Sequence, residues 1–142
     1  MVNKTIKLIA ENIGTPTFIY SEAVLKKNVQ RIRSAILSSG LKNKVEIHVS
    51  YFANSNPHLM SILAGLDVGV TIQSREENEH LRNIDVQKIV SPTHLSTEDL
   101  NYFVQQDLKI NIATISNLEK LLALGKKEVN LRVDLSPNGN QR

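Results

Sequence analysis

The strongest constraint in this 142-residue chain is an alternation that repeats about every twenty to twenty-five residues: a short apolar, β-prone run, then a polar turn, then a helix-patterned stretch. Runs read as strands fall at Val45–Tyr51, Val68–Ile72, Lys88–Val90, Ile110–Ile112 and Val129–Val133. The stretches read as helices fall at Pro57–Ala64, Arg75–Arg82, Ser96–Gln105 and about Ser116–Leu124, the last ended by Gly125. Five strands with a helix in each short connection require crossovers that return the chain in the same direction, hence a parallel sheet flanked by helices. The predicted fold class is α/β, built from parallel βα units.

Ahead of this series, Thr17–Tyr20 (TFIY) reads as a short strand within an N-terminal segment of residues 1–20. Ser21 with Glu22 then reads as the start of a helix. Val24, Leu25, Val29, Ile32, Ile36 and Leu37 form one apolar stripe on that helix, and Gly40 stops it. One domain over residues 1–142 follows, with a helix and about five βα units in 21–142. The closing SPNGNQR is turn-rich and predicted to fray.

Composition excludes more than it selects. There is no cysteine, so disulfides, thiolate catalysis and cysteine zinc sites are absent as a group. Lys26, Lys27, Arg31 and Arg33 are the one basic cluster in a chain of net charge +3. They suit the wet side of a helix, so no nucleic-acid or membrane partner is expected. The start MVNKTIKLIAENIG has a short apolar patch but no long apolar core or small-residue cleavage site, which predicts a cytoplasmic protein. No HExxH, Gly-x-Ser-x-Gly, P-loop or dinucleotide fingerprint occurs.

Parallel α/β sheets and barrels take their ligands at the carboxyl ends of the strands. The candidate rim is therefore Phe52, Ala53 and Asn54; Gln73, Ser74 and Glu77; Ser91, Thr93 and His94; Ala113 and Thr114; and Arg132 to Asp134. Each has a bland reading. Asn54 shapes the turn before Pro57, Ser74 caps a helix, Glu77 decorates or caps it, Arg132 pairs with Asp134 or Glu77, and Phe52 is apolar filling. His80 reads as a helix-surface residue rather than a metal ligand.

The blocks GTPTFIY, FANSNP, VGVTIQSREENEHL, SPTHLSTEDL, INIATISNLEKL and LRVD, in this order and spacing, resemble the N-terminal part of the diaminopimelate, ornithine and arginine decarboxylases. These are pyridoxal-phosphate enzymes on an alanine-racemase-like (β/α)8 barrel, and the diaminopimelate enzymes look nearest. The resemblance implies an incomplete barrel of that type with Asn54, Ser74, Glu77 and Arg132 near the cofactor. It also sets Phe52 at the place of the lysine that forms the Schiff base, so no catalytic residue is assigned. A phenyl ring forms no imine. Lys44, the nearest preceding lysine, lies more than about 20 Å away at roughly 3.3 Å per residue.

Further departures are Thr71 and Ala113 for aspartates, Arg75 and Glu76 for two glycines, and Leu95 for a lysine. The family's later histidine, glycine-rich phosphate loop and C-terminal β domain have no counterpart before Arg142. The chain is therefore predicted to be non-catalytic as it stands, or one piece of a split or larger decarboxylase, or a module that binds phosphate or pyridoxal phosphate noncovalently or regulates. Five strands leave two sheet edges, which predicts a homo-oligomer or a partner chain covering them.

Overall fold

The computed structural model describes residues 4–42, 44–92, 94–126 and 128–132. Two helices, α1 (Lys4–Ile13) and α2 (Glu22–Ser38), precede β1 (His48–Ser50), a 3-10 turn (Tyr51–Ala53) and α3 (Pro57–Ala64). There follow β2 (Gly69–Ile72), α4 (Arg75–His80), β3 (Lys88–Val90), α5 (Thr97–Gln105), β4 (Lys109–Ile112), α6 (Ile115–Ala123) and β5 (Asn130–Leu131). The strands pair in chain order, all parallel, as one five-stranded sheet. The predicted alternation and α/β class are what the chain forms.

The register places His48 and Ser50 beside Gly69 and Thr71, then Ile89, then Lys109 and Asn111, and finally Asn130. The other parity brings Val49, Val70, Val90, Ile110 and Ile112 onto the opposite face. That second face carries the core. Val70, Ile72, Val90, Ile110 and Ile112 are buried together with Met60 and Leu63 of α3, Leu81 after α4, Leu100 and Phe103 of α5, and Leu121 of α6. Alternation along each strand thus turns one face toward the helices and leaves the other open.

The helix boundaries have local causes. Ser21, Asn56, Ser74, Ser96 and Thr114 are extended N-caps whose side chains accept from backbone N–H groups of the first turn. Pro57 follows Asn56 in the first turn of α3, where its missing N–H costs nothing. After α2, Gly40 takes φ of 74°, a left-handed conformation that a glycine enters without a steric penalty.

Four sequence-based expectations change. Thr17–Tyr20 forms no strand: β1 is an edge that pairs only with β2, so the TFIY segment has no ladder among the described residues, and Phe18 stands 90% exposed. The N-terminal segment instead contains α1, whose Ile6, Ile9, Ala10 and Ile13 share one face. The strand expected at Val45–Tyr51 is confined to His48–Ser50, because the backbone turns into the 3-10 conformation at Tyr51. The last helix starts at Ile115, since Thr114 rather than Ser116 caps it. Val133 and the SPNGNQR tail lie outside the described residues.

Candidate ligand-binding rim

Four βα junctions bring the predicted rim residues to the carboxyl ends of the strands, and after β1, β2 and β4 the polar side chain serves the backbone. After β1, Asn54 Oδ1 accepts from the Asn56 N–H at 3.0 Å, and Asn56 Oδ1 accepts from His58 and Leu59 at 3.0 and 3.2 Å. Asn54 therefore shapes the turn before Pro57. After β2, Ser74 Oγ accepts from the Glu77 N–H at 3.2 Å, while the Glu77 carboxylate reaches back to the Gln73 N–H at 2.6 Å. This reciprocal arrangement is a variant of the capping box, with the acid bonded one residue earlier than usual.

Thr114 repeats the pattern after β4, accepting from the Asn117 N–H at 3.3 Å. Arg132, just past β5, donates its backbone N–H to the Ile112 carbonyl at 2.7 Å. Its exposed side chain makes no ion pair with another described residue, so the expected pairing with Glu77 does not form. Asp134, the other partner considered, and Thr93 lie outside the described residues. Ser91 is half-buried, while His94 and Ala113 are exposed.

Phe52 reverses its expected role as filling. It is 82% exposed at the end of β1, whereas its neighbour Tyr51 is buried. The 3-10 turn accounts for this: Tyr51 points to the helix side, where its hydroxyl meets His80 Nδ1 at 3.0 Å, and the next residue faces out. His80 is exposed as predicted, but it is also a hydrogen-bonding partner, which a spacing of 29 residues concealed.

Two other contacts were not visible in sequence. Arg75 Nε lies 2.7 Å from Asp99 Oδ1, with Glu98 at 4.0 Å and the Tyr102 ring 5.3 Å from the guanidinium carbon. The bulk at a position where the resembled family has glycine is thus turned toward α5. Beside it, Asn78 donates to the Tyr102 hydroxyl at 2.9 Å, and that hydroxyl donates to Glu79 at 2.6 Å.

These contacts set the ionisation of the site's surroundings. The Ser96 hydroxyl, donating to Asp99 at 2.5 Å, and then Arg75 hold the Asp99 carboxyl below its ordinary value. The bond to Glu79 raises the Tyr102 phenol. Burial lowers the Lys88 ammonium, with Glu79 opposing. Lys88 and Lys109 begin their strands, so no described lysine occupies a strand's carboxyl end.

The rim spans four strand spacings from Phe52 to Arg132, about 19 Å along the sheet. What it offers is an exposed phenyl ring at one edge, an exposed guanidinium at the other, and half-buried hydroxyls and amides between. Such a set can stack on a ring and neutralise an anion, but it holds no amine. Clefts of about 300 and 380 Å³ open near Lys109 and Asn130, and near Glu46 and Gln87. Both are at the amino ends of the strands, away from the rim. Among the described residues no cluster of three or more His, Asp or Glu could hold a metal, and no helix is long and apolar enough to cross a membrane.

No family model matches the chain. A diaminopimelate decarboxylase from Thermoplasma acidophilum is 31% identical over 120 residues, 82% of this chain and 29% of that protein. The crystal structure of the M. jannaschii diaminopimelate decarboxylase in complex with L-lysine superposes with a TM-score of 0.71 at 26% identity, covering 89% of this chain and 31% of the other. Lysine decarboxylase from Selenomonas ruminantium gives a TM-score of 0.78 at 21% identity, covering 94% of this chain and 36% of that one, a likeness of fold.

The sheet and its helices are thus part of an alanine-racemase-like barrel of the decarboxylase type. The resemblance to the pyridoxal-phosphate-dependent decarboxylases is thus borne out, and the chain spans about a third of the length of the relatives it matches. The rim does not fit a covalently held pyridoxal phosphate. The end of β1 carries the Phe52 hydrocarbon, and the Ser74 and Glu77 side chains are engaged in capping α4.

Proposed function

We propose that this chain is a decarboxylase-family barrel portion that does no covalent pyridoxal-phosphate chemistry through β1, and that its open face binds or assembles rather than decarboxylates. The observation that carries the reading is Phe52, which stands exposed on the rim at the position where the resemblance puts the Schiff-base lysine. Any ligand held here is held without a covalent bond, its ring against the rim and its anionic group near Arg132. The reading extends to a cytoplasmic setting and to a homo-oligomer or partner that covers the β1 and β5 edges.

The test is borohydride reduction in the presence of pyridoxal phosphate followed by peptide mass spectrometry, on the wild-type chain and on Phe52→Lys. No pyridoxyl adduct is expected on a rim residue of the wild type, and one is expected at position 52 of the variant. Visible aldimine absorbance in the wild type together with carbon dioxide release from diaminopimelate would overturn the reading.

A second reading is supported by the chain's spanning only 29% of the Thermoplasma protein. It makes this chain one piece of a split or larger decarboxylase whose amine comes from another polypeptide or from further sequence. Under it, the reduced adduct appears on a lysine of that other part.

A further inference from the structure

Away from the open face, a cleft of about 390 Å³ opens between the turn after β1 and the end of α4, lined by Tyr51, Ser55, Pro57, His80 and Leu81. Its walls contain no carboxylate, ammonium or guanidinium. Pro57 is exposed and Leu81 is buried behind it, so the hydrocarbon reachable from solvent is that of Pro57, with Leu81 at the floor of the cleft.

The Tyr51–His80 pair gives this cleft a defined polarity. Tyr51 is only 8% exposed, and a buried phenol requires an acceptor for its proton. His80 Nδ1, 3.0 Å away, is the acceptor at hand. With Nδ1 accepting, a neutral imidazole carries its proton on Nε2, and Nε2 makes no hydrogen bond to another described residue. In that tautomer the exposed edge of His80 is a hydrogen-bond donor beside an apolar wall, with the Ser55 hydroxyl as a second polar group.

We propose that the cleft binds an uncharged molecule with a carbonyl acceptor on a planar apolar body, such as an aromatic carboxamide. His80 Nε2–H donates to the carbonyl, the ring lies against Pro57 and Leu81, and Tyr51 is the positioning residue that fixes the tautomer. A carboxylate of the same shape is disfavoured, because it would shed hydration with no counter-charge in the walls. The inference is independent of what the open face binds.

Benzamide and benzoate are the probes, titrated into the whole chain while imidazole nitrogens and Leu81 methyls are followed by NMR. Benzamide is expected to saturate the Leu81 shift with a Kd in the millimolar range, below about 50 mM, and benzoate to bind at least about fivefold more weakly. His80→Gln should weaken benzamide about tenfold. Tyr51→Phe should weaken it about threefold and move the His80 nitrogen shifts toward a mixture of tautomers, a signature that loss of packing alone would not give. Non-saturating shifts, benzoate binding as tightly as benzamide, an unchanged Kd in His80→Gln, or a His80 proton found on Nδ1 in the wild type would each overturn the proposal.

Discussion

The two faces of the sheet are made by the same five strands and could hardly differ more. On one, Val70, Ile72 and Val90 are fully buried beneath α3 to α6. On the other, Ser50, Thr71, Ile89, Ser91 and Asn111 are half-buried, and Asn130 and Arg132 are exposed. Parallel sheets covered on both sides have near-continuous apolar strands. Here GVTI and KINI put their branched residues on one parity and Gly, Thr, Lys and Asn on the other. The second face is therefore polar enough to meet water or a ligand, as the inside of a ligand-holding barrel would be. Stability resides on the helix-covered face, and specificity is free to vary on the open one.

Truncating each face in turn gives the largest contrast. Phe103→Ala removes a fully buried ring beneath the sheet and should cost about 3–5 kcal/mol, read as a lowered denaturant midpoint at unchanged slope. Thr71→Val on the open face should stay within about 0.5 kcal/mol of wild type. Comparable losses from the two would mean that the open face is packed in solution, by a partner or a second copy.

Between these extremes lies the α4–α5 contact outside the sheet. Arg75→Met keeps the side-chain stem but removes the pair with Asp99 and the charge over Tyr102, and should cost about 1 kcal/mol. It should leave the rim unaffected, because the guanidinium is taken up by Asp99 and Tyr102 of α5. A change in anion binding at Arg132 in this variant would contradict that separation.

How much of this was legible in the sequence depends on the range of the forces involved. Caps act within three residues, so Ser21, Ser74 and Ser96, with Pro57 for α3, marked helix starts that the structure repeats. The last helix reads from about Ser116, one residue late, because Ile115 is an apolar residue in a first turn, 76% exposed, where a polar one is the usual signal. Thr17–Tyr20 has strand-like residues, but a strand is made by its neighbour, and no local pattern supplies one.

Phe52 was legible as the odd residue of its block, whereas its exposure was not, since that depends on which way a three-residue turn rotates Tyr51. The contacts Tyr51–His80 and Arg75–Asp99 join residues 29 and 24 apart, and nothing in either short segment announces the other.

The smallest effect tests the same α4–α5 contact through protons. The Asp99 carboxyl is held below its ordinary value of 3.8, first by the Ser96 hydroxyl and then by Arg75, with burial opposing. A carboxyl whose folded value is depressed binds fewer protons folded than unfolded. Its stabilisation is present above the unfolded value and is lost as pH falls through the folded one. The window is therefore the acid side of 3.8, and the group is half-exposed, so the slope is shallow. Ser96→Ala removes the largest cause and should flatten this part of the pH dependence, so that wild type and variant converge on acidification from about pH 6 to about pH 3. Arg75→Met should flatten it less. A wild-type advantage over Ser96→Ala that is equal at both pH values would assign the Ser96 effect to capping of the Asp99 N–H alone, at 3.0 Å, and remove the carboxyl from the account.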